Sequence, residues 1–93
     1  MVRVGKVGIY NIYSDKKGSY IVHNTKKEFA KGHTHINNFN TAKYLATLAL
    51  KKKVPTRLGK YQLVSLIRIS DSKTYKIKLR NTFFEILKDV EID

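Results

Sequence analysis

The chain lacks cysteine and tryptophan, has a single proline, and carries only seven acidic residues against nineteen lysines and arginines in 93 residues. Without cysteine, neither a disulfide framework nor thiolate ligation of a metal can form. The scarcity of acids leaves a formal charge of +12 at pH 7. Because holding so much like charge on one body costs self-repulsion, we expect an anionic partner, with nucleic acid as the first candidate.

The sequence also lacks targeting, membrane-spanning and catalytic motifs, which excludes several classes of protein. The first residues, MVRVGKVGIYNIY, lack the apolar run of a signal peptide, and no segment is apolar enough to cross a membrane. There is no glycine-rich phosphate loop, nucleophile elbow or zinc-finger spacing. We therefore expect a non-catalytic, cytoplasmic protein without a cofactor, a bound metal or a membrane partner. The lysine-, isoleucine- and asparagine-rich composition suggests an accessory factor of a bacterium or its phage.

The apolar content is sufficient for one core. Hydrophobic residues make up 42% of the chain, and six tyrosines and four phenylalanines are present. These values are far from those of disordered chains, so residues 1–93 are predicted to form a single small basic domain. Its charge is uneven, because residues 82–93 hold four acids and one lysine, whereas residues 1–81 hold all other cations and three acids.

The N-terminal region predicts a β-hairpin. Residues 2–13 and 20–24 alternate apolar and polar side chains, and the segment between them is rich in turn formers. Gly5 and Gly8 interrupt the first run, which indicates a bulge or a close backbone approach. Gly18 can supply a positive φ in the turn. Residues 33–36 are a candidate third strand.

The clearest helix follows. Asn40 or Thr41 is the predicted N-cap, Phe39 packs back on the helix, and the lysines at 51–53 meet the negative end of the dipole. Apolar side chains at helical spacing predict the buried stripe, and they are Tyr44, Leu45, Leu48 and Ala49.

Residues 56–80 are predicted to form two further strands. Residues 61–69 show no one-sided apolar stripe as a helix, whereas residues 75–80 alternate apolar and basic side chains. A helical alternative stays open, since residues 75–90 also fit a stripe. The strand is preferred because cations at 73–80 would oppose a helix dipole and because Thr82-x-x-Glu85 resembles a capping box. The expected fold is thus α+β, a small antiparallel sheet packed on two or three helices.

We expect largely sequence-independent contact with DNA or RNA phosphates, because lysine, a point charge, outnumbers arginine, whose fork reads base edges. Residues 76, 78 and 80 would form a row on one strand face. The predicted contact residues are Lys16, Lys17, Lys51, Lys52, Lys53, Arg57, Lys60, Lys76, Lys78 and Arg80. The alternative is a small adaptor or inhibitor that docks its basic face on an acidic partner protein.

Two sets of rings support weaker hypotheses. Tyr10, Tyr13 and Tyr20 flank the first turn and could stack on an unpaired base, although cross-strand pairing in a hairpin is the simpler interpretation. If residues 20–24 pair antiparallel with 33–36, His23 lies opposite His33 and His35. Three imidazoles on one face could bind zinc, act as acid and base on RNA, contact phosphate, or serve no special role.

One half of the chain resembles known DNA-binding modules. Strands near 7–13, 20–24 and 33–36, followed by Phe39-Asn40-Thr41-Ala42 opening a helix, are similar to the three-strand-plus-helix modules of AP2-type factors and integrase arm domains. The resemblance implies DNA binding. The chain departs from it in lacking an arginine- and tryptophan-rich sheet face, and residues 55–93 have no counterpart, so no family is assigned.

Overall fold

The computed structural model describes residues 1–91, so the acidic end predicted to include Asp93 lies partly outside it. Four strands precede four helices. The elements are β1 (Val2–Val7), β2 (Tyr10–Ser14), β3 (Tyr20–Asn24), β4 (His33–Ile36), α1 (Phe39–Lys51), α2 (Lys60–Ile69), α3 (Lys73–Thr82) and α4 (Phe84–Leu87). The strands form one antiparallel sheet in the order β1-β2-β3-β4. The α+β class is confirmed.

The first predicted strand is two strands. Gly8 and Ile9 form the turn that connects β1 to β2, and Gly8 adopts a φ of +56° there. A side chain at Gly8 would collide with Leu50, because a Cβ there would lie 2.6 Å from that residue's Cδ1. The register shifts between Arg3 and Gly5, which is the predicted bulge. Gly18 has a φ of +79° in the β2–β3 turn, as expected.

Helix α1 begins two or three residues earlier than predicted, since Asn40 or Thr41 was the expected cap. Asn38 is the N-cap, and its side-chain oxygen accepts a hydrogen bond from the backbone N–H of Thr41. The helix ends at Lys52, whose φ of 52° is left-handed. Of the predicted stripe, Tyr44 is 48% exposed, whereas the other three members are buried. The buried face is completed by Ala42 and Ala46.

The strand prediction for residues 56–80 is wrong. Helix α2 buries Leu63, Leu66, Ile67 and Ile69, because it packs against α1, α3, α4, β3 and β4. A helix covered on most sides needs apolar side chains on most sides, so it shows no one-sided stripe. A buried hydrogen bond from Thr34 Oγ1 to Ser65 Oγ, 2.9 Å long, joins α2 to the sheet.

Helix α3 also replaces a predicted strand. Ser72 caps it by accepting a hydrogen bond from the Tyr75 backbone N–H, and Tyr75 and Leu79 are buried. Burying two such side chains contributes about 1.5–3 kcal/mol each, which exceeds the roughly 0.3–1 kcal/mol cost of cations near a helix N-terminus. The predicted capping box at Thr82 and Glu85 does not form, because α3 continues to Thr82 and α4 starts at Phe84.

The helices cover one face of the sheet. We call the end of the sheet with the β2–β3 turn the hairpin end, and the end with the β3–β4 loop (25–32) the loop end. Helix α1 starts beyond β4 at the hairpin end and reaches the loop end, where Leu50 meets Gly8. Helix α2 also finishes there, since Asn24 Nδ2 donates to the Ile69 carbonyl (2.9 Å). Within residues 1–91, no helix has the length and apolar run that a bilayer crossing requires.

Candidate nucleic-acid interface

The predicted contact residues are spread over both ends of the sheet. Lys16 and Lys17 are exposed in the turn at the hairpin end, whereas residues 51–53 are exposed at the loop end. Helix α1 separates the two groups, and its thirteen residues span roughly 20 Å. One phosphate group therefore cannot contact both sets of lysines.

Arg57 and Lys60 lie in and after the segment that connects α1 to α2. Arg57 is exposed. Lys60 Nζ forms an exposed ion pair with Asp89 Oδ2 at 3.1 Å. The hydrogen bond from Lys60 lowers the pKa of the Asp89 carboxyl below its usual value. The charge of Lys60 is thus partly neutralised within the chain.

The predicted row of residues 76, 78 and 80 does not exist. On α3 successive residues are about 100° apart, so Lys78 points away from Lys76 and Arg80. Lys76 is only 6% exposed, and Arg80 Nη2 donates to the Lys88 carbonyl at 3.4 Å. The error follows directly from assigning this segment to a strand.

The sheet itself gathers a different set of cations. Its outer face, which points away from the helices, carries two rows of side chains across the four strands. Residues paired in antiparallel register share a face. One row is Lys6, Asn11, His23 and His33, and the other is Arg3, Tyr13, Ile21 and His35. We call these eight residues, together with Phe29, the outer sheet face.

No carboxylate interrupts this surface. The four strands contain no aspartate or glutamate at any position. At its two ends lie Lys16 and Lys17 on the β2–β3 turn and Lys26 on the β3–β4 loop, in connections that also carry Asp15 and Glu28. The outer sheet face is consequently a region where cations and imidazoles meet without acidic side chains between them.

Four rings form a continuous chain on the outer sheet face. Phe29 stacks on His33 with a centroid distance of 4.3 Å and an interplanar angle of 11°. The Phe29 centroid is also 5.3 Å from that of His23, and the His33 centroid is 5.1 Å from that of His35. Phe29 remains 39% exposed. The loop thus holds an exposed aromatic ring flat against the His33 imidazole.

Backbone carbonyls fix two of the imidazoles. His23 Nε2 donates to the Lys27 carbonyl at 2.9 Å, and His33 Nδ1 donates to the Phe29 carbonyl at 2.6 Å. The predicted antiparallel pairing is confirmed, because His23 lies directly opposite His33. Nevertheless, residues 1–91 contain no group of three histidine or acidic side chains arranged to hold a metal ion. Through their two hydrogen bonds, His23 and His33 orient the β3–β4 loop.

The three tyrosines predicted near the first turn separate. Tyr10 is buried in the core, and Tyr20 packs on Phe39 with a centroid distance of 5.6 Å. Tyr13 lies on the outer sheet face, where its Oη accepts a hydrogen bond from Asn11 Nδ2 at 3.1 Å. Asn11 Oδ1 is buried without a hydrogen-bond partner.

Sequence reasoning missed Arg3, Lys6 and Phe29. The alternation of β1 alone does not tell which side faces solvent, because the bulge after Arg3 shifts the register. The position of Phe29 depends on its loop and on the imidazole beneath it. The absence of acids from β1 is a local signal for Arg3 and Lys6, whereas Phe29, in a loop beside Glu28, has no such signal.

Comparison with known proteins finds no matching family model, no similar curated protein and no similar solved structure.

Proposed function

We propose that this protein is a non-catalytic nucleic-acid-binding accessory factor whose contact surface is the outer sheet face. The observation that carries the proposal is the coincidence, on that face, of cations and exposed rings with a complete lack of carboxylates in the strands. Lysine and arginine neutralise phosphates, and aromatic rings stack on bases whatever their sequence. We expect such a factor to act in the cytoplasm.

The proposed contacts divide between the two kinds of side chain. Arg3 and Lys6 are exposed on β1 and can approach phosphates. Phe29 offers an exposed ring that is already immobilised on His33, so stacking a base on it orders little additional structure. Since most of these groups carry no base-specific pattern of donors and acceptors, sequence-independent binding is expected.

The test is a fluorescence anisotropy titration with labelled single-stranded and duplex DNA and RNA at 50 and 200 mM salt. We expect binding that weakens steeply with salt, because phosphate contacts release counterions. Phe29→Ala should weaken single-strand binding about tenfold, since a stacked base contributes about 1–3 kcal/mol. Phe84→Ala is the matched control, because Phe84 is an exposed phenylalanine on α4.

Two results would reject the proposal. The first is an absence of binding to every oligonucleotide at 50 mM salt. The second is salt-tolerant binding of the basic surface to an acidic protein without any oligonucleotide binding, which would support the adaptor function. Equal affinities of the Phe29→Ala and Phe84→Ala variants would show that the Phe29 ring does not contact the nucleic acid.

A further inference from the structure

A cleft of about 800 Å³ opens beside β4, the edge strand of the sheet. It lies between the β3–β4 loop, α2, α3 and the segment after α4. Its volume is within the range of roughly 300–1,000 Å³ found for ligand-binding clefts. Four cations from three elements line it, and they are Lys27, Lys31, Arg68 and Lys76.

Hydrogen bonds hold two of these cations in place. Arg68 Nε donates to the His33 carbonyl at 2.7 Å and its Nη2 to the Ala30 carbonyl at 3.3 Å. Lys27 Nζ donates to the Ser70 carbonyl at 3.0 Å. Because these side chains are already ordered, an anion that enters the cleft does not have to immobilise them. The cleft is therefore a preformed basic site and differs from a solvated lysine surface.

The cleft is continuous with the outer sheet face. One loop, residues 25–32, presents Phe29 to the sheet and Lys27 and Lys31 to the cleft. Arg68 connects the two places, since it lines the cleft and bonds to the backbone of His33 in β4. A nucleic-acid strand that crosses the four rings and passes over the edge of β4 would enter this cleft.

The lining of the cleft also includes apolar side chains and two carboxylates. Val64 and Ile67 of α2 and Val90 after α4 supply apolar surface of the kind that a sugar ring can cover. Two carboxylates, Glu28 and Glu91, also line the cleft. Glu91, one of the acids near the C-terminus, therefore lines the same cleft as the four cations.

We infer that the cleft receives phosphate groups of a nucleic-acid strand bound on the outer sheet face. In the free protein, the Glu91 carboxylate competes with these phosphates for the cations of the cleft. This inference rests on the proposed function and names its second contact site. Glu91 thereby lowers the affinity for nucleic acid, because a carboxylate near the cations weakens the positive potential that attracts phosphate. Removing that charge should strengthen binding.

The experiment measures the affinity of four single variants for a labelled single-stranded oligonucleotide across a salt series. Lys31→Gln should weaken binding about fivefold at 0.1 M salt and reduce the slope of log K against log salt by about one. Its control is Lys78→Gln, which removes the same charge from an exposed position on α3 outside the cleft.

The second pair of variants tests whether Glu91 lowers the affinity for nucleic acid. Glu91→Gln should tighten binding about threefold, as expected for removing one carboxylate close to a bound phosphate. Glu85→Gln, on the exposed surface of α4, makes the same change of net charge away from the cleft and should have a smaller effect. Circular dichroism on all four variants verifies that each is folded.

The outcomes separate the two proposals. If the unmodified chain binds no oligonucleotide, both the proposed function and the role of the cleft as a phosphate site are rejected. If it binds but Lys31→Gln behaves like Lys78→Gln, the cleft is rejected and the sheet interface stands. If Lys31→Gln weakens binding while Glu91→Gln matches Glu85→Gln, phosphates enter the cleft and the competition by Glu91 is overturned.

Discussion

The lysines and arginines of the sheet have different surroundings from several of those on the helices. On the outer sheet face, register brings Arg3 and Lys6 beside three imidazoles with no carboxylate in any strand. Among the predicted contact residues on the helices, Lys60 pairs with Asp89, Arg80 bonds to a carbonyl and Lys76 is buried, whereas Lys51 and Lys78 are exposed. The comparison teaches that a lysine-rich sequence does not by itself define a basic surface. Neighbouring acids and burial decide which cations can meet a partner.

The largest expected effect concerns stability, where the helical layer should matter most. Leu66 of α2 is fully buried, so Leu66→Ala should cost about 2–5 kcal/mol through lost burial and the cavity left behind. Val4 on the edge strand β1 is 43% exposed, and Val4→Ala should change stability by less than about 0.5 kcal/mol. Urea denaturation measures both. Similar costs at the two positions would contradict the assignment of the core.

Alkaline pH should weaken the contact between the two layers. Burial raises the pKa of Tyr10 to about 12, with a smaller contribution from Asp71. Burial likewise raises the pKa of Tyr75 to about 12, with smaller contributions from Tyr10 and Tyr44. Since the folded pKa lies above the unfolded value, the stabilisation is complete below pH 10 and is lost as pH rises toward 12. Each ring should account for roughly 2 kcal/mol of that loss.

Denaturation curves between pH 9 and pH 11 test this expectation. Tyr10→Phe and Tyr75→Phe should each flatten the decline, because phenylalanine has no proton to lose. Tyr61→Phe is the control, since Tyr61 is 73% exposed. Tyr75→Phe has an additional cost at all pH values, as its Oη donates to the Lys53 carbonyl at 2.7 Å. Equal pH slopes for all the variants would refute the burial argument.

The third effect compares the two surfaces directly. Reversing Arg3 and Lys6 to glutamate should weaken oligonucleotide binding about tenfold or more, because two phosphate contacts become repulsive. Reversing Lys73 and Lys78 on α3 lowers the net charge equally and should weaken binding less than about threefold. Anisotropy titrations at one salt concentration suffice. If both double variants lose the same affinity, only net charge matters and the outer sheet face has no special role.

Several elements were predictable because their signals are local. Gly18 at the turn, the bulge near Gly5 and the helix before Lys51 each follow from neighbouring residues. The pairing of His23 with the third strand also followed, once 20–24 and 33–36 were taken as antiparallel. Of the candidate site, Lys16 and Lys17 were correctly placed on a turn, but their distance from residues 51–53 was not predicted.

The remainder depended on contacts that are distant in the chain. Residues 60–69 are apolar on most sides because the sheet and three helices surround α2, and no local pattern distinguishes that burial from a strand. Composition alone determined the positive charge and the absence of thiol chemistry. Tertiary structure decided which cations share a face, since the register and the bulge in β1, rather than the order of residues, set the direction of each side chain.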